Sequence, residues 1–282
     1  MPNDTIDDFN HQVIEEFRAN RGRVGGYFEG ARLILLTTTG ARTGTEHTTP
    51  VAYLPDGGDR ILVIASAGGA PRHPAWYHNL LAHPEVTVES GAFTYQARAE
   101  VLSGAARDEA FARAVETDAG WAEYQEKAGR VIPVVALHEI AGGPPRIAAG
   151  SMGEAIKVVH DAFRRELALI RGEMDQAAGN GGRLGAQLRV NCLTFCHGLH
   201  NHHTGEDLGL FPFLADRHPT AAPTVERLRE EHEHIAALVE DLRTAIATED
   251  PATARSEVAR LTTELEAHLT YEEEHLIPLL DA

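Results

Sequence analysis

Two stretches of the chain, HHTGEDLGLFP at 202–212 and HLTYEEEHLIP at 268–278, spell one arrangement twice: a histidine, a glutamate four residues on, a second acid beside it, and three residues later Leu, an apolar residue and Pro. On an α-helix, residues four apart lie one turn apart on the same face, so His202 and Glu206 point together, as do His268 and Glu272. The surrounding apolar spacing decides where that face points. It runs Leu188, Cys192, Phe195, Leu199, His202, Glu206, Leu210, Phe213 in one segment and Val258, Leu261, Leu265, His268, Glu272, Leu276 in the other. Two further stripes have the same period: Ile156, His160, Phe163, Leu167, Ile170, Met174, and Leu228, His232, Ile235, Val239, Leu242. Helices are therefore expected at about 152–178, 184–215, 224–247 and 251–280, the number needed for an up-down bundle. Each carries its histidine on the core face.

A lone histidine on an apolar face is usually a core histidine, and a buried carboxylate without a partner is costly enough to force its neutralisation. Six ionisable groups on four core stripes therefore call for a cation. Four imidazoles and two carboxylates suit a pair of hard-to-borderline ions with the carboxylates free to bridge, and iron is the favoured identity. A rival assignment uses Glu231 with His234 and Glu272 with His275, each spelling Glu-x-x-His as in ferritin-like centres. It also needs a glutamate on each of the first two helices, and Glu166 lies off the first stripe. His197, His200 and His203 miss the register with Glu206 and read as solvated or supporting residues.

The HxxxE-acid-xxLFP runs with one histidine on each intervening helix resemble the hemerythrin-like (HHE cation-binding) family. The resemblance covers 152–282. It implies a four-helix bundle holding a non-haem di-iron centre that meets dioxygen, nitric oxide or peroxide, with ligands His160, His202, Glu206, His232, His268 and Glu272. Asp207, where the family often has Glu, falls outside that ligand set.

The stretch AGGPPRIAAGS at 141–151 lacks apolar periodicity and marks a boundary, giving units at 1–141 and 152–282 with a linker at 142–151. Upstream, RLILLTTT, VAYL, RILVIAS, VTVE, TYQARAEVL and VVAL read as strands, with PDGGD as a hairpin turn. AWYHNLLA, 106–116 and an N-terminal segment at 7–19 read as helices. The whole chain is then α+β: a small, mostly antiparallel barrel followed by an all-α four-helix bundle.

Two Gly-rich stretches carry the chemistry of the first unit. TTTGARTG at 37–44 leaves a strand into a tight turn whose backbone N–H groups and Arg42 suit an anion. SAGGAPRHPAWYHNL at 66–80 sets a Gly-Gly loop, Arg72 and His73 before a helix opened by Pro74. These stretches, with LPDGG between them and RVIP near the end, resemble the deazaflavin-dependent nitroreductase family over roughly 10–140. The resemblance implies a split β-barrel binding reduced deazaflavin, coenzyme F420, and passing its hydride to quinones, nitro compounds or activated alkenes. FMN is the alternative cofactor. Carried over by motif, the cofactor contacts are Arg42, Thr43, Gly44, Pro50, Ser66, Gly68, Gly69, Trp76, Tyr77 and Asn79, and Tyr124 stands near the substrate as the catalytic residue. Ala67 and Trp121 depart from the family's Lys and Tyr.

The formal net charge of −17 argues against nucleic-acid or anionic-membrane partners, which need basic patches. Cys192 and Cys196 stand one helical turn apart, so no disulfide framework is expected. With neither a signal segment nor an apolar run near ~20 residues, the reading is cytoplasmic. A small-molecule substrate and dioxygen or nitric oxide are the expected partners, with homo-oligomerisation open. Three roles follow from this reading: a two-part redox enzyme; a di-iron gas sensor whose barrel is a non-catalytic scaffold; or a bundle serving as a metal-poor dimerisation module.

Overall fold

The computed structural model describes residues 3–58, 60–140, 145–179, 184–248 and 250–282. It divides into two compact units, Met1–Ala148 and Ala149–Ala282. No helix among the described residues is long and apolar enough to cross a membrane.

In the first unit, α1 (Asn3–Ala19) precedes β1 (Leu33–Thr39), β2 (Glu46–Pro55) and β3 (Arg60–Ile64). Then come α2 (Ala75–Ala82), β4 (Glu85–Ser90), β5 (Phe93–Val101), α3 (Gly104–Thr117), α4 (Gly120–Ala128), β6 (Val134–Glu139) and β7 (Arg146–Ile147). The strands run in the order β4-β1-β2-β3-β6-β5, and β4 pairs again with β5, so six antiparallel strands close into a barrel with β7 added outside β5. Closure leaves no free edge among the six.

The apolar runs of these strands have a physical cause in two-sided burial. Ile34 and Leu36 of β1 face the barrel interior with Val63, Val88, Ala97 and Leu137, while Leu33 and Leu35 pack beneath α1 against Val13 and Phe17. β3 and β6 do the same: Val63, Val135 and Leu137 point in, and Leu62, Val134 and Ala136 are covered by Ala110, Phe111 and Ala114 of α3. Each fully buried aliphatic side chain contributes about 1.5–3 kcal/mol, so these covered faces hold the helices to the barrel. The β2–β3 turn places Gly57 and Gly58 at φ 83° and 56°, where a Cβ would be strained. Asp59 of that expected turn lies outside the described residues. So do residue 141 and 142–144 of the expected linker, whose Arg146–Ile147 forms β7 on the barrel.

The second unit consists of α5 (Met152–Gly179), α6 (Ala186–Gly205), α7 (Phe211–Arg217), α8 (Ala222–Ala247) and α9 (Pro251–Leu280). The expected Gly-rich stop after the first of these helices falls at 180–183, outside the described residues. Cross-links fix the helices antiparallel. Arg164 and Arg255 tie α5 and α9 through Glu273 and Asp175, and Asp241–Arg260 and Glu231–His268 tie α8 to α9. Asn191–Glu173 joins α6 to α5. Asp250 caps α9, accepting from the backbone N–H groups of Ala252 and Thr253. The core runs through Ile170, Cys192, Phe195, Leu199, Ile235, Leu238, Val258, Leu261 and Leu265.

Between α6 and α7 one turn, Glu206–Leu210, is π-helical. The inserted residue rotates everything after it, so Phe211 and Leu214 are buried while Phe213 is exposed. The uninterrupted period expected of Leu210 and Phe213 thus fails at Phe213. Such π turns are frequent at functional sites.

Candidate functional site

The bundle carries the most defined constellation. His160 on α5, His202 and Glu206 at the end of α6, His232 on α8, and His268 and Glu272 on α9 converge in the interior. His202 Nε2 lies 3.3 Å from Glu206 Oε1, and His232 Nε2 lies 3.5 Å from Glu206 Oε2. Glu272 Oε2 lies 3.4 Å from His160 Nε2 and 3.6 Å from His268 Nε2. Each carboxylate therefore stands between imidazoles of two helices.

None of these approaches is a well-directed hydrogen bond. The Nε2 atoms of His160, His202, His232 and His268, together with Glu206 Oε2 and both Glu272 carboxylate oxygens, are buried without a partner. Such atoms are costly unless something fills the space among them. Donor groups within 4.8 Å of one another fall in two sets, one of His160, His202, Glu206 and Glu272, the other of His203, His232 and His268. The residues fit a pair of cations.

The outward nitrogens of three rings are held by acids. His160 Nδ1 meets Glu273 at 2.9 Å, His232 Nδ1 meets Asp207 at 3.1 Å and His268 Nδ1 meets Glu231 at 2.9 Å. This fixes each ring with Nε2 inward, the arrangement that orients metal-binding imidazoles. Arg164 in turn holds Glu273 at 2.7 Å.

Protonation follows from burial. Desolvation, then the neighbouring Glu272 charge, pushes the Glu206 carboxyl well above the usual carboxylate range. For Glu272 burial pushes upward as well, but the adjacent His160, with Glu206 and His268, together outweigh it and leave the group below its ordinary value. Burial pushes His202 down to about 3 and lowers His203 and His232, so these imidazoles are neutral and their lone pairs are available.

The rival Glu-x-x-His reading does not survive the geometry. His234 and His275 are exposed, and Glu231 serves the outer nitrogen of His268. His197 and His200 are exposed, as expected. His203 is not: it is 6% exposed, and its ring stacks on His232 at 4.0 Å and 10°. Sequence spacing also passed over the support given by Asp207, Glu231 and Glu273. An acid directly following each HxxxE glutamate was the available signal for Asp207 and Glu273.

In the barrel unit, Arg42, Thr43 and Gly44 form an exposed turn between β1 and β2, and Pro50 lies buried in β2. Asn79 of α2 ties this turn down, donating to Thr38 Oγ1 at 3.0 Å and accepting from the Ala41 N–H at 3.1 Å. Trp76 packs in the barrel core, leaving Tyr77 half-buried at the surface beside His73, with ring centroids 4.8 Å apart. Ser66, Gly68 and Gly69 lie in a loop whose left-handed turns, at φ 62° and 77°, fall on the two glycines. A Cβ on Gly69 would meet Lys127 and the Tyr124 backbone at 3.0–3.2 Å, so glycine permits close packing on α4. Ala67, the family departure, also adopts positive φ, 50°. Tyr124 sits above this loop with its hydroxyl 3.5 Å from that of Tyr27.

Arg130, the arginine of the closing RVIP, organises the second loop. Its guanidinium donates to the carbonyls of Ala65, Ser66, Ala70 and Arg72 at 3.1–3.2 Å. Four carbonyls on one cation fix the whole Ser66–Arg72 path.

Barrel and bundle together define a two-domain protein: a six-stranded antiparallel β-barrel, and a helical domain with a buried cluster of candidate metal-binding histidines and glutamates. The chain belongs to the F420H(2)-dependent quinone reductase family, whose model matches residues 10–139, and continues as a hemerythrin HHE cation binding domain over 151–280. It is similar to an F420H(2)-dependent quinone reductase of Mycobacterium tuberculosis, with 39% identity over 133 residues, 45% of this chain and 86% of that protein. Among solved structures, an F420-H2 dependent reductase is 37% identical, covering 38% of this chain and 94% of that one, with a TM-score of 0.35.

Proposed function

We propose that this protein is an oxidoreductase with two redox sites: a barrel that transfers hydride from reduced F420 to a quinone or similar acceptor, and a bundle that holds two iron ions for a small oxidant or gas such as dioxygen or nitric oxide. The observation that carries the reading is the set of buried, unpartnered imidazole nitrogens and carboxylate oxygens, in a chain whose other half belongs to a quinone reductase family.

Reduced deazaflavin supplies a hydride and is a poor one-electron donor. The barrel's residues supply the rest. Arg42 in its exposed turn suits the phosphate-bearing tail, and the Ser66–Gly69 loop offers backbone at close approach. The half-buried Tyr77 suits the ring system. Tyr124 suits the substrate side, with its proton held high by the Tyr27 hydroxyl and by burial, so it stays a hydrogen-bond donor at neutral pH. Nitro compounds and activated alkenes are the alternative acceptors, and FMN the alternative cofactor.

In the bundle, His160, His202, His232 and His268 with Glu206 and Glu272 would hold the ions, which supply one-electron redox chemistry when bound. Because a hydride donor is poorly matched to one-electron steps at iron, the two sites act on different reactants rather than as one wire.

The test uses the purified full chain. Oxidation of reduced F420 by a soluble quinone should persist after iron is chelated, whereas the near-ultraviolet iron absorption should vanish. A chain that binds neither F420 nor FMN at tens of micromolar would leave the barrel as a scaffold and refute the reductase half.

A further inference from the structure

We propose that Tyr27 is a catalytic partner of Tyr124: the two phenols form a donor pair for one carbonyl oxygen of a quinone, where negative charge gathers as hydride arrives. The inference rests on the reductase reading above and narrows its acceptor. Tyr27 lies in the short turn Gly26–Phe28 between α1 and β1. Gly26 and Gly30 bracket that turn at φ 60° and 75°, and Phe28 anchors it by packing against Val13, Phe17, Leu33 and Leu35. With Phe28 as the anchor, Tyr27 is spare for packing, and it is 77% exposed. A single exposed tyrosine is ordinary. Its hydroxyl, however, comes to 3.5 Å from that of Tyr124 on α4, a residue 97 positions away.

Hydroxyls that serve as each other's partner settle at about 2.5–3.0 Å. At 3.5 Å the two phenols hold each other only weakly, and both can reach a common third oxygen. Trp121 stands edge-on to Tyr124, with ring centroids 6.0 Å apart and planes at 85°. The Tyr124 backbone packs on Gly69, so the phenol pair stands at the edge of the loop assigned to the cofactor. A quinone takes a hydrogen with both electrons of a C–H bond of reduced F420, which is thereby oxidised, and one carbonyl oxygen becomes a phenolate. A proton from Tyr124, replaced from water, completes the hydroquinone. Two neutral donors converging on that oxygen stabilise its charge as it forms.

The test uses the purified full-length chain and a series of soluble benzoquinones graded in the acidity of their hydroquinones. Tyr27→Phe keeps the ring and removes one donor. It should leave unchanged both the barrel's melting temperature and the Kd for F420, read by fluorescence titration, while kcat falls at least about tenfold. The loss should grow as the hydroquinone becomes less acidic, because a more basic phenolate draws more on its donors. An unchanged kcat, a loss equal across the series, or a raised Kd in place of a lowered kcat would overturn the proposal. A wild-type chain that binds no F420, or reduces none of the quinones, would instead overturn the reductase reading beneath it.

Discussion

His160, His232 and His268 each spend the outer ring nitrogen on a carboxylate and keep the inner one for the centre, and that division decides which substitutions matter. His202→Ala and Glu272→Ala should each lose most of the bound iron, while His234→Ala and His275→Ala, whose side chains are exposed, should keep it; metal analysis of the four purified variants checks this. Glu273→Gln keeps the shape but weakens the hold on His160, so iron affinity should fall about 10–100-fold in a chelator competition. Six of the converging residues were legible in sequence because positions four apart on a helix and one apolar period place them on a common face. The carboxylates behind them were not. Spacing tells which face a residue occupies, whereas Asp207 and Glu231 reach ring nitrogens on other helices, contacts that only tertiary packing creates. For His203 the sequence left two readings open, solvated or supporting, and its burial against His232 removes the first: a residue beside an inward one faces out unless the helix end is itself enclosed.

At the level of loops and turns, the two Gly-rich stretches of the barrel have different mechanics. The turn at 40–44 rests on Asn79, and Arg42 is exposed on it, so Arg42→Ala should leave the melting temperature unchanged. It should raise the apparent Kd for reduced F420 by at least about tenfold, since a charge-assisted contact is worth about 1.5–3 kcal/mol. Arg130→Met should behave differently: it removes the hydrogen bonds to four loop carbonyls, so it should both lower the barrel's melting temperature and weaken cofactor binding. Fluorescence titration and thermal melts of the two variants separate these outcomes. The strands were legible as apolar runs because helices cover the barrel's outside at Leu35, Leu62 and Val134. The short α4 was not, since GWAEYQEKA has little apolar periodicity, and the π turn at Glu206–Leu210 left no mark in composition.

Over the whole chain, the candidate ligands come from every long helix of the bundle, so the proposed metal binding is tied to folding. Ions bound only by the native bundle stabilise it by mass action, about 2.7 kcal/mol at a hundredfold excess over Kd, so chelation should lower the bundle's melting transition and leave the barrel's in place. The metal-free bundle should also be acid-sensitive. His202, His203 and His232 stay neutral when folded but take protons below about 6.5 when unfolded, so the unfolded state binds more protons and stability falls with falling pH. Glu206, protonated in the fold, opposes this with one group against three, so between pH 6.5 and 4.5 the net effect is destabilising. Melts of the chelated protein across that window should show it, and a flat profile would contradict the burial of neutral imidazoles. Everything in the bundle's account rests on the cations. The most direct measurement is therefore iron analysis of the purified full-length chain after anaerobic loading and removal of free metal: about two irons per chain are expected, and a chain that retains none would contradict the account.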